Sequence, residues 1–325
     1  MLHRTLMPEI KNYLMDHEAF SFSGTMELVY LKASDDFYYY LLKDLASQPY
    51  LLKVSAKAAS NSGLATEYQV LRYLEKCPHT PNAYHLDLIP PGLERDILLL
   101  EYMRGQELNY TTDYLKVAEI FGSIHSAGAD LQLPKLKDPL GASLRRGKDN
   151  LKDALPSGVF RMDHLYFFDG LSEWAEDNLR RKQRVFADIE PVICHGPMEM
   201  TDFAIDSHGY LYEWHAAYLG DAAIDITRFL ARTTSLMEAD VILRAIDRED
   251  FYYRWEKTMG LERSSLRERV EAYMPYYLFE LFSSLAKYYY DHAKPGAQGL
   301  DPYQLDKLQR YLDIEFMQSC LAEYI

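Results

Sequence analysis

Between Val192 and Arg228 the chain places carboxylates at Asp202, Glu213, Asp221 and Asp225, close to the pair His195-Gly196. The apolar run Pro191 to Cys194 ends at that pair. An alternating segment, Phe203-Ala204-Ile205-Asp206, then meets Ser207-His208-Gly209, whose glycine suits a tight turn, and Tyr210 to Trp214 reads as the returning strand. A short hairpin that presents carboxylates beside a His-Gly turn can hold a hard divalent cation against phosphates, because such cations take oxygen ligands.

The elements that must position this hairpin are readable upstream and downstream. Met7 to Glu18 predicts an amphipathic helix with Pro8 in its first turn. Thr25 to Ala33, Phe37 to Leu42 and Pro49 to Ser55 are β-rich and are separated by Ser34-Asp35-Asp36 and by Lys43 to Gln48, which predicts an antiparallel meander. A helix with Leu64, Leu71 and Leu74 at helical spacing carries Glu67. Cys77 to Pro91 reads as loop and strand, and the apolar strand Asp96 to Glu101 runs on to a break at Gly105. Thr112 to Ala127 and Leu171 to Ile189 read as helices, whereas Asp130 to Val159, charged and proline-spaced, reads as a loop or insertion. A helical tail follows: Ile224 to Leu236, Ala239 to Ile246, Asp250 to Gly260, Ser264 to Tyr290 and Pro302 to Tyr324, with Gly260 and Pro295-Gly296 as breaks. The expected class is α+β.

The central stretch resembles the catalytic segment of the aminoglycoside phosphotransferase and choline kinase branch of the protein-kinase-like superfamily. That branch shows H-G-D-x-x-x-x-N, a hairpin, and then I-D-W-E-x-A-x-x-G-D-P-x-x-D-L. The matching letters here are His195-Gly196-Pro197, Asp202, Tyr212-Glu213-Trp214-His215-Ala216-Ala217 and Gly220-Asp221-Ala222-Ala223-Ile224-Asp225-Ile226. On this resemblance the family's catalytic aspartate falls on Pro197, its metal-binding asparagine on Asp202 and its metal-binding aspartate on Glu213. Asp202 and Glu213 are therefore expected to hold magnesium. Proline has no proton acceptor, so the general-base position is lost, and Glu199, two residues on, is the candidate substitute. Asp225 is implied to cap the backbone of the loop that carries His195.

The resemblance extends across nearly the whole chain and implies a bilobal kinase-like fold, with a small N-lobe over residues 1–101 and a mainly helical C-lobe over 102–325. It implies an ATP or other nucleotide site in which Lys53, oriented by Glu67, meets the α- and β-phosphates. The backbone around Glu101, Tyr102 and Met103 would bond an adenine edge, and Lys32 to Asp36 would cover the phosphates. That covering loop contains no glycine, which leaves Ser34 and backbone donors for the task, while Asp35 and Asp36 repel a triphosphate in the absence of a cation. His125 corresponds to a structural packing residue.

Composition sets the outer bounds. A chain of 325 residues that is 48% hydrophobic can bury a large core. Its 35 basic and 49 acidic residues give a net charge of −14, which argues against broad binding to nucleic acid or anionic membrane. Cys77, Cys194 and Cys320 form no C-x-x-C pair, and the charged N-terminus, interrupted by Pro8, lacks the apolar core of a signal peptide, so a cytoplasmic location is expected. The 27 tyrosines cluster at Tyr252-Tyr253, Tyr276-Tyr277 and Tyr288-Tyr289-Tyr290, a pattern that fits core edges or an interface with a protein partner or a second copy. Two readings of different class follow. One is a kinase-like protein with lost or weakened catalysis that binds a nucleotide and acts through a partner. The other is an atypical magnesium-ATP-dependent phosphotransferase acting on a small-molecule or peptide hydroxyl. Nucleotide transfer with the ATP inverted is a third.

Overall fold

The computed structural model describes residues 2–17, 26–43, 49–58, 62–231, 241, 243–293 and 299–325. The chain divides into two compact units, one comprising Met1–Leu108, Asp130–Leu133 and His195–Tyr218, the other Asn109–Ala129, Pro134–Cys194 and Leu219–Ile325.

The first unit contains helix α1 (Leu2–Asp16), strands β1 (Glu27–Ala33), β2 (Phe37–Lys43) and β3 (Tyr50–Ser55), helix α2 (Leu64–Tyr73), and strands β4 (Ala83–Asp87) and β5 (Ile97–Glu101). The five strands form one antiparallel sheet in the order β1-β2-β3-β5-β4. Successive side chains on a strand point to opposite faces, and this alternation sorts the sheet. Leu6, Ile10 and Leu14, one helical turn apart on α1, are buried against Tyr40, Leu42, Leu52, Val54, Ile97 and Leu99 on one face. Burying each of these large side chains contributes about 1.5–3 kcal/mol. Lys53 lies on the other face, directly across from Tyr39 of β2 and Leu98 of β5. The expected meander is present; α1 begins earlier than expected, so Pro8 lies inside it rather than in its first turn. Thr25 and the expected spacer from residue 44 to 48 lie outside the described residues.

The hairpin β7 (Phe203–Ala204) and β8 (Tyr210–Leu211) packs with this first unit, not with the helices as the expected division at residue 101 would have it. The cause is a set of backbone bonds. Gln106 and Ile205 exchange bonds of 2.8 and 2.7 Å, and Leu211 N–H donates to His79 O at 2.9 Å. The returning strand stops at Leu211 instead of Trp214, because Glu213 turns left-handed and Trp214–Ala216 winds into a 3-10 turn.

The second unit is mainly helical: α3 (Tyr110–His125), α4 (Pro139–Ala154), α5 (Met162–Gln183), α6 (Ala222–Leu230), α7 (Ala245–Thr258), α8 (Leu266–Ala293), α9 (Pro302–Tyr311) and α10 (Ile314–Leu321), with a two-stranded sheet of β6 (Val192–Cys194) and β9 (Tyr218–Gly220). Helix α4 corrects the expectation of a loop from Asp130 to Val159. Asp138 caps it by accepting from Gly141 N–H at 2.9 Å, and Pro139 opens it. Leu140, Leu144 and Leu151 make its buried stripe, while Arg145, Lys148, Asp149, Lys152 and Asp153 lie on its exposed side. Gly147 lies against the Phe279 ring of α8, where a Cβ has no room. The expected helix from Pro302 to Tyr324 is two helices, broken where Asp313 caps α10. Leu236 and Ala239, taken above as helical, and the break Pro295-Gly296 lie outside the described residues. Of the tyrosine clusters, Tyr276 is buried while Tyr253 and Tyr288 are exposed. No helix among the described residues is long and apolar enough to cross a membrane.

Candidate functional site

Lys53 anchors the site. Its Nζ lies 2.6 Å from Glu67 Oε2, 2.7 Å from Glu213 Oε2 and 4.0 Å from the centre of the Phe37 ring, and the side chain is 0% exposed. Glu67 reaches it because α2 starts close by. Gly63, at φ 78°, precedes the helix and takes Glu67 N–H on its carbonyl, and a Cβ there would lie 2.6 Å from His215 O. Burial by itself would lower the Lys53 pKa, but the charges of Glu67 and Glu213 outweigh it and hold the ammonium above its ordinary value. One ammonium serves two carboxylates. Burial pushes the deeper Glu67 up in spite of Lys53, whereas for Glu213 burial is outweighed by Lys53 and His215, which bring it down to about 2.

Glu213 occupies left-handed backbone at φ 67° and ψ 48°, a conformation that costs a side-chain-bearing residue about 1–2 kcal/mol. Its Oε2 gathers Lys53 Nζ, the Tyr39 hydroxyl at 3.0 Å and His215 Nδ1 at 3.5 Å, contacts that offset the strain. Asp202 lies nearby on the 3-10 turn Met200–Asp202, which is closed by a reciprocal cap. Glu199 N–H donates to Asp202 Oδ2 at 2.7 Å, and the Glu199 side chain accepts the Asp202 N–H. The Glu199 carboxylate thus takes part in holding the turn. Burial, and then the neighbouring charges of Glu213 and Glu199, raise Asp202 to about 7, although its bond from Glu199 N–H works the other way.

His195 sits at the start of the loop. Its Nε2 lies 2.5 Å from Tyr212 O and its Nδ1 3.1 Å from Pro197 O, so the ring sits between the two carbonyls and pins the loop. The ring also meets Trp214 edge-on at 4.9 Å between centres. Gly196, at φ 102°, allows the backbone to pass Ala216 O, which a Cβ would approach to 3.0 Å. Pro197 follows and lines a cleft of about 520 Å³ together with Lys32, Ser34, Glu199, Asp202 and Glu213. Ser34 closes the β1–β2 turn, its hydroxyl accepting Phe37 N–H at 3.1 Å and its N–H donating to Phe37 O at 2.8 Å.

The remaining expected site residues lie at the exit of β5 and on α6. Glu101 is occupied with Asn82, whose backbone and side-chain N–H groups donate to its Oε2 at 3.2 and 2.7 Å. Tyr102 follows it at the strand exit, half-buried. The Met103 N–H, expected as a donor to an adenine edge, donates at 2.8 Å to the hydroxyl of Tyr212. Asp225 belongs to the helical unit, buried on α6, with His125 Nε2 3.6 Å away and Arg228 3.9 Å away. His125 in turn accepts the Trp255 indole N–H at 3.1 Å. Asp221 caps α6 through Ala223 N–H and pairs with Arg269.

Sequence reasoning gave no role to Tyr39, and none to Tyr212 and His215 beyond their place in the matching motif. Tyr39 was open to inference, since the strand register sets it across from Lys53. Tyr212 and His215 flank Glu213 but gave no signal of their own. The oxygen donors Asp202 and Glu213 suit a divalent cation: Asp202 is a carboxyl group crowded by negative charge, the condition a cation relieves. At the hinge, the Tyr212 hydroxyl holds the Met103 N–H.

Residues 31–261 match the family model described as "Phosphotransferase enzyme family". A comparison with curated protein sequences gives no match. Solved structures similar to this chain include a Ralstonia eutropha JMP134 protein provisionally assigned as an aminoglycoside phosphotransferase (TM-score 0.68, 14% identity, covering 98% of this chain and 99% of that one). Another is choline kinase from Cryptosporidium parvum Iowa II (TM-score 0.61, 13% identity, covering 99% and 97%). A third is the spectinomycin phosphotransferase APH(9)-Ia, solved with ADP and spectinomycin (TM-score 0.59, 12% identity, covering 98% and 98%). At these identities the likeness establishes the fold: an α+β kinase-like arrangement with a small antiparallel-sheet lobe and a mainly helical lobe.

Proposed function

Because the chain belongs to the phosphotransferase enzyme family, we propose that it is a member whose catalysis is lost or greatly weakened, and which binds a nucleotide through its phosphates and acts through a partner. The observation that carries this reading is Pro197 at the cleft wall directly after His195-Gly196, with no proton acceptor of its own. Glu199, the substitute within reach along the chain, caps the turn at Asp202 with its carboxylate, which draws it toward that turn. Loss of a general base costs roughly 10²–10⁴ in rate. Lys53, Glu67 and Glu213 meanwhile keep an ion-pair frame of the kind that positions phosphates. Magnesium, when bound, would neutralise phosphate charge, and Asp202 and Glu213 are the residues that would hold it. The exposed tyrosines Tyr253 and Tyr288 on α7 and α8 suit a protein partner or a second copy of the chain.

A second reading, an atypical phosphotransferase acting on a small-molecule or peptide hydroxyl, draws on Asp202. A carboxyl group near neutrality inside a cleft is matched to accepting a proton at physiological pH. Thermal-shift titration with ADP and ATP, with and without magnesium, paired with a phosphate-release assay, separates the two. The first reading expects magnesium-dependent stabilisation without turnover. Stabilisation by ATP alone, undiminished in Lys53→Ala, would place the nucleotide elsewhere, and vigorous turnover abolished by Asp202→Asn would establish the second reading.

A further inference from the structure

A cluster on the far side of the small lobe takes no part in the cleft. Tyr13 is in the last turn of α1 and His17 follows the helix directly, their rings 5.2 Å apart, and His85 and Asp87 are two apart on β4, so they share one face. Packing α1 onto the sheet brings the two pairs together. Ligand atoms of His17, His85 and Asp87 all lie within 4.8 Å of one another, and His17 Nε2 is 3.6 Å from Asp87 Oδ2. The two imidazoles meet edge-on with centres 4.8 Å apart. Tyr13 donates to Asp87 Oδ2 at 3.0 Å and its hydroxyl lies 3.5 Å from His85 Nε2.

We propose that His17, His85 and Asp87 form a binding site for a divalent transition cation of the zinc type, which ties the end of α1 to strand β4. Two imidazole nitrogens and one carboxylate oxygen are a borderline donor set that suits zinc and leaves a fourth position for water. Zinc bonds of about 2.0–2.1 Å set neighbouring ligand atoms at about 3.3–3.4 Å in a tetrahedron, so side-chain rotations of about 1 Å close the set. Tyr13 supplies what such sites need around their ligands, a donor that fixes the carboxylate. All three ligands are half-buried, which gives a cation a path in from solvent. The burial of His85 and the proximity of His17 also lower the His85 pKa, favouring the neutral imidazole that binds metal.

The test uses the full chain stripped of metal, with zinc chloride alone and neither nucleotide nor magnesium. Isothermal titration and equilibrium dialysis should show one zinc per chain, and zinc should raise the melting temperature. Affinity should fall at least tenfold in His17→Ala and in His85→Ala, and less in Asp87→Asn, which preserves the shape of the carboxylate and its contact with Tyr13. His208→Ala, on the exposed hairpin turn, should bind as wild type does. Cobalt(II) in place of zinc should give a tetrahedral absorption band that the His17→Ala/His85→Ala double variant lacks. Zinc binding undiminished in that double variant, checked for folding by circular dichroism, would overturn the proposal, as would the absence of any bound zinc in the wild type.

Discussion

The hydroxyl of Tyr212 accepts the backbone N–H of Met103 at 2.8 Å. Tyr212 is fixed from its other end as well, since its N–H donates to Asp202 O at 2.8 Å and its carbonyl receives His195 Nε2 at 2.5 Å. The ring therefore joins the strand exit after β5 to the loop that carries Pro197. A base edge seeking the Met103 N–H must displace a bond with a net value of about 1 kcal/mol and also move a buried ring. Tyr212→Ala should therefore bind ADP about tenfold or more tightly than the wild type, the equivalent of about 1.4 kcal/mol, with a smaller gain in Tyr212→Phe, which keeps the ring. Calorimetric titration of the three proteins checks this. Equal affinities would show that the ring does not stand in the way.

Lys53 is as much a part of the fold as of the site. Its loss leaves Glu67 and Glu213 buried side by side without their shared cation, and removing one partner of a buried ion pair costs about 3–5 kcal/mol. Lys53→Met should accordingly destabilise the fold by about that much, read as a lower urea midpoint and a lower melting temperature. Adding Glu67→Gln should recover part of the loss, since one of the stranded charges is then gone. Full additivity of the two substitutions would mean that the residues do not act as a unit.

How much of this was legible varies from residue to residue, and the reasons are physical. Lys53 lies on a segment whose β-rich composition announces a strand and Glu67 on one whose 3.6 period announces a helix, and both elements are present. Helix α4 was hidden because much of its buried side is small residues, Gly141, Ala142, Ser143, Gly147 and Ala154, and its exposed side carries dense charge, so that composition suggested a loop. The shortened strand β8 depends on the left-handed backbone of Glu213, which no glycine announces. The Tyr212 to Met103 bond joins residues 109 positions apart and rests on one side-chain torsion, a relationship that spacing does not encode.

The raised carboxyl of Asp202 makes a pH prediction. Its pKa moves from 3.8 to about 7 on folding, so between these values the folded state holds a proton that the unfolded state has released. The stability tied to that proton is fully present below about pH 4 and is lost as pH rises through about 7. Asp202→Asn, whose amide oxygen can still accept Glu199 N–H, should remove this dependence. The melting temperature of the wild type relative to Asp202→Asn should fall between pH 4 and pH 7.5 in metal-free buffer. Magnesium should restore the wild type selectively at the upper end, where the carboxylate is ionised. Parallel profiles for the two proteins would show that Asp202 titrates normally.

Pro197 offers the most direct test of the proposed loss of catalysis. His195 and Gly196 hold the preceding turn, Asp202 and Glu213 line the same cleft, and Lys53 is paired behind it, so a carboxylate at position 197 would enter a frame already built. Proline at that position also fixes its own φ and has no N–H, but the contact of the His195 ring at 3.1 Å is with the Pro197 carbonyl, which any residue keeps. The loop should therefore tolerate Pro197→Asp without unravelling. That variant should show magnesium-dependent ATP hydrolysis at least tenfold above the wild type, because a positioned general base contributes roughly 10²–10⁴ in rate and part of that survives imperfect placement. A Pro197→Asn control, close in shape but unable to accept the proton as a carboxylate does, should stay at the wild-type level. Hydrolysis raised equally in both variants would trace the gain to relief of the proline and not to the base. A wild type already as fast as Pro197→Asp would mean that another group, Asp202 foremost, accepts the proton.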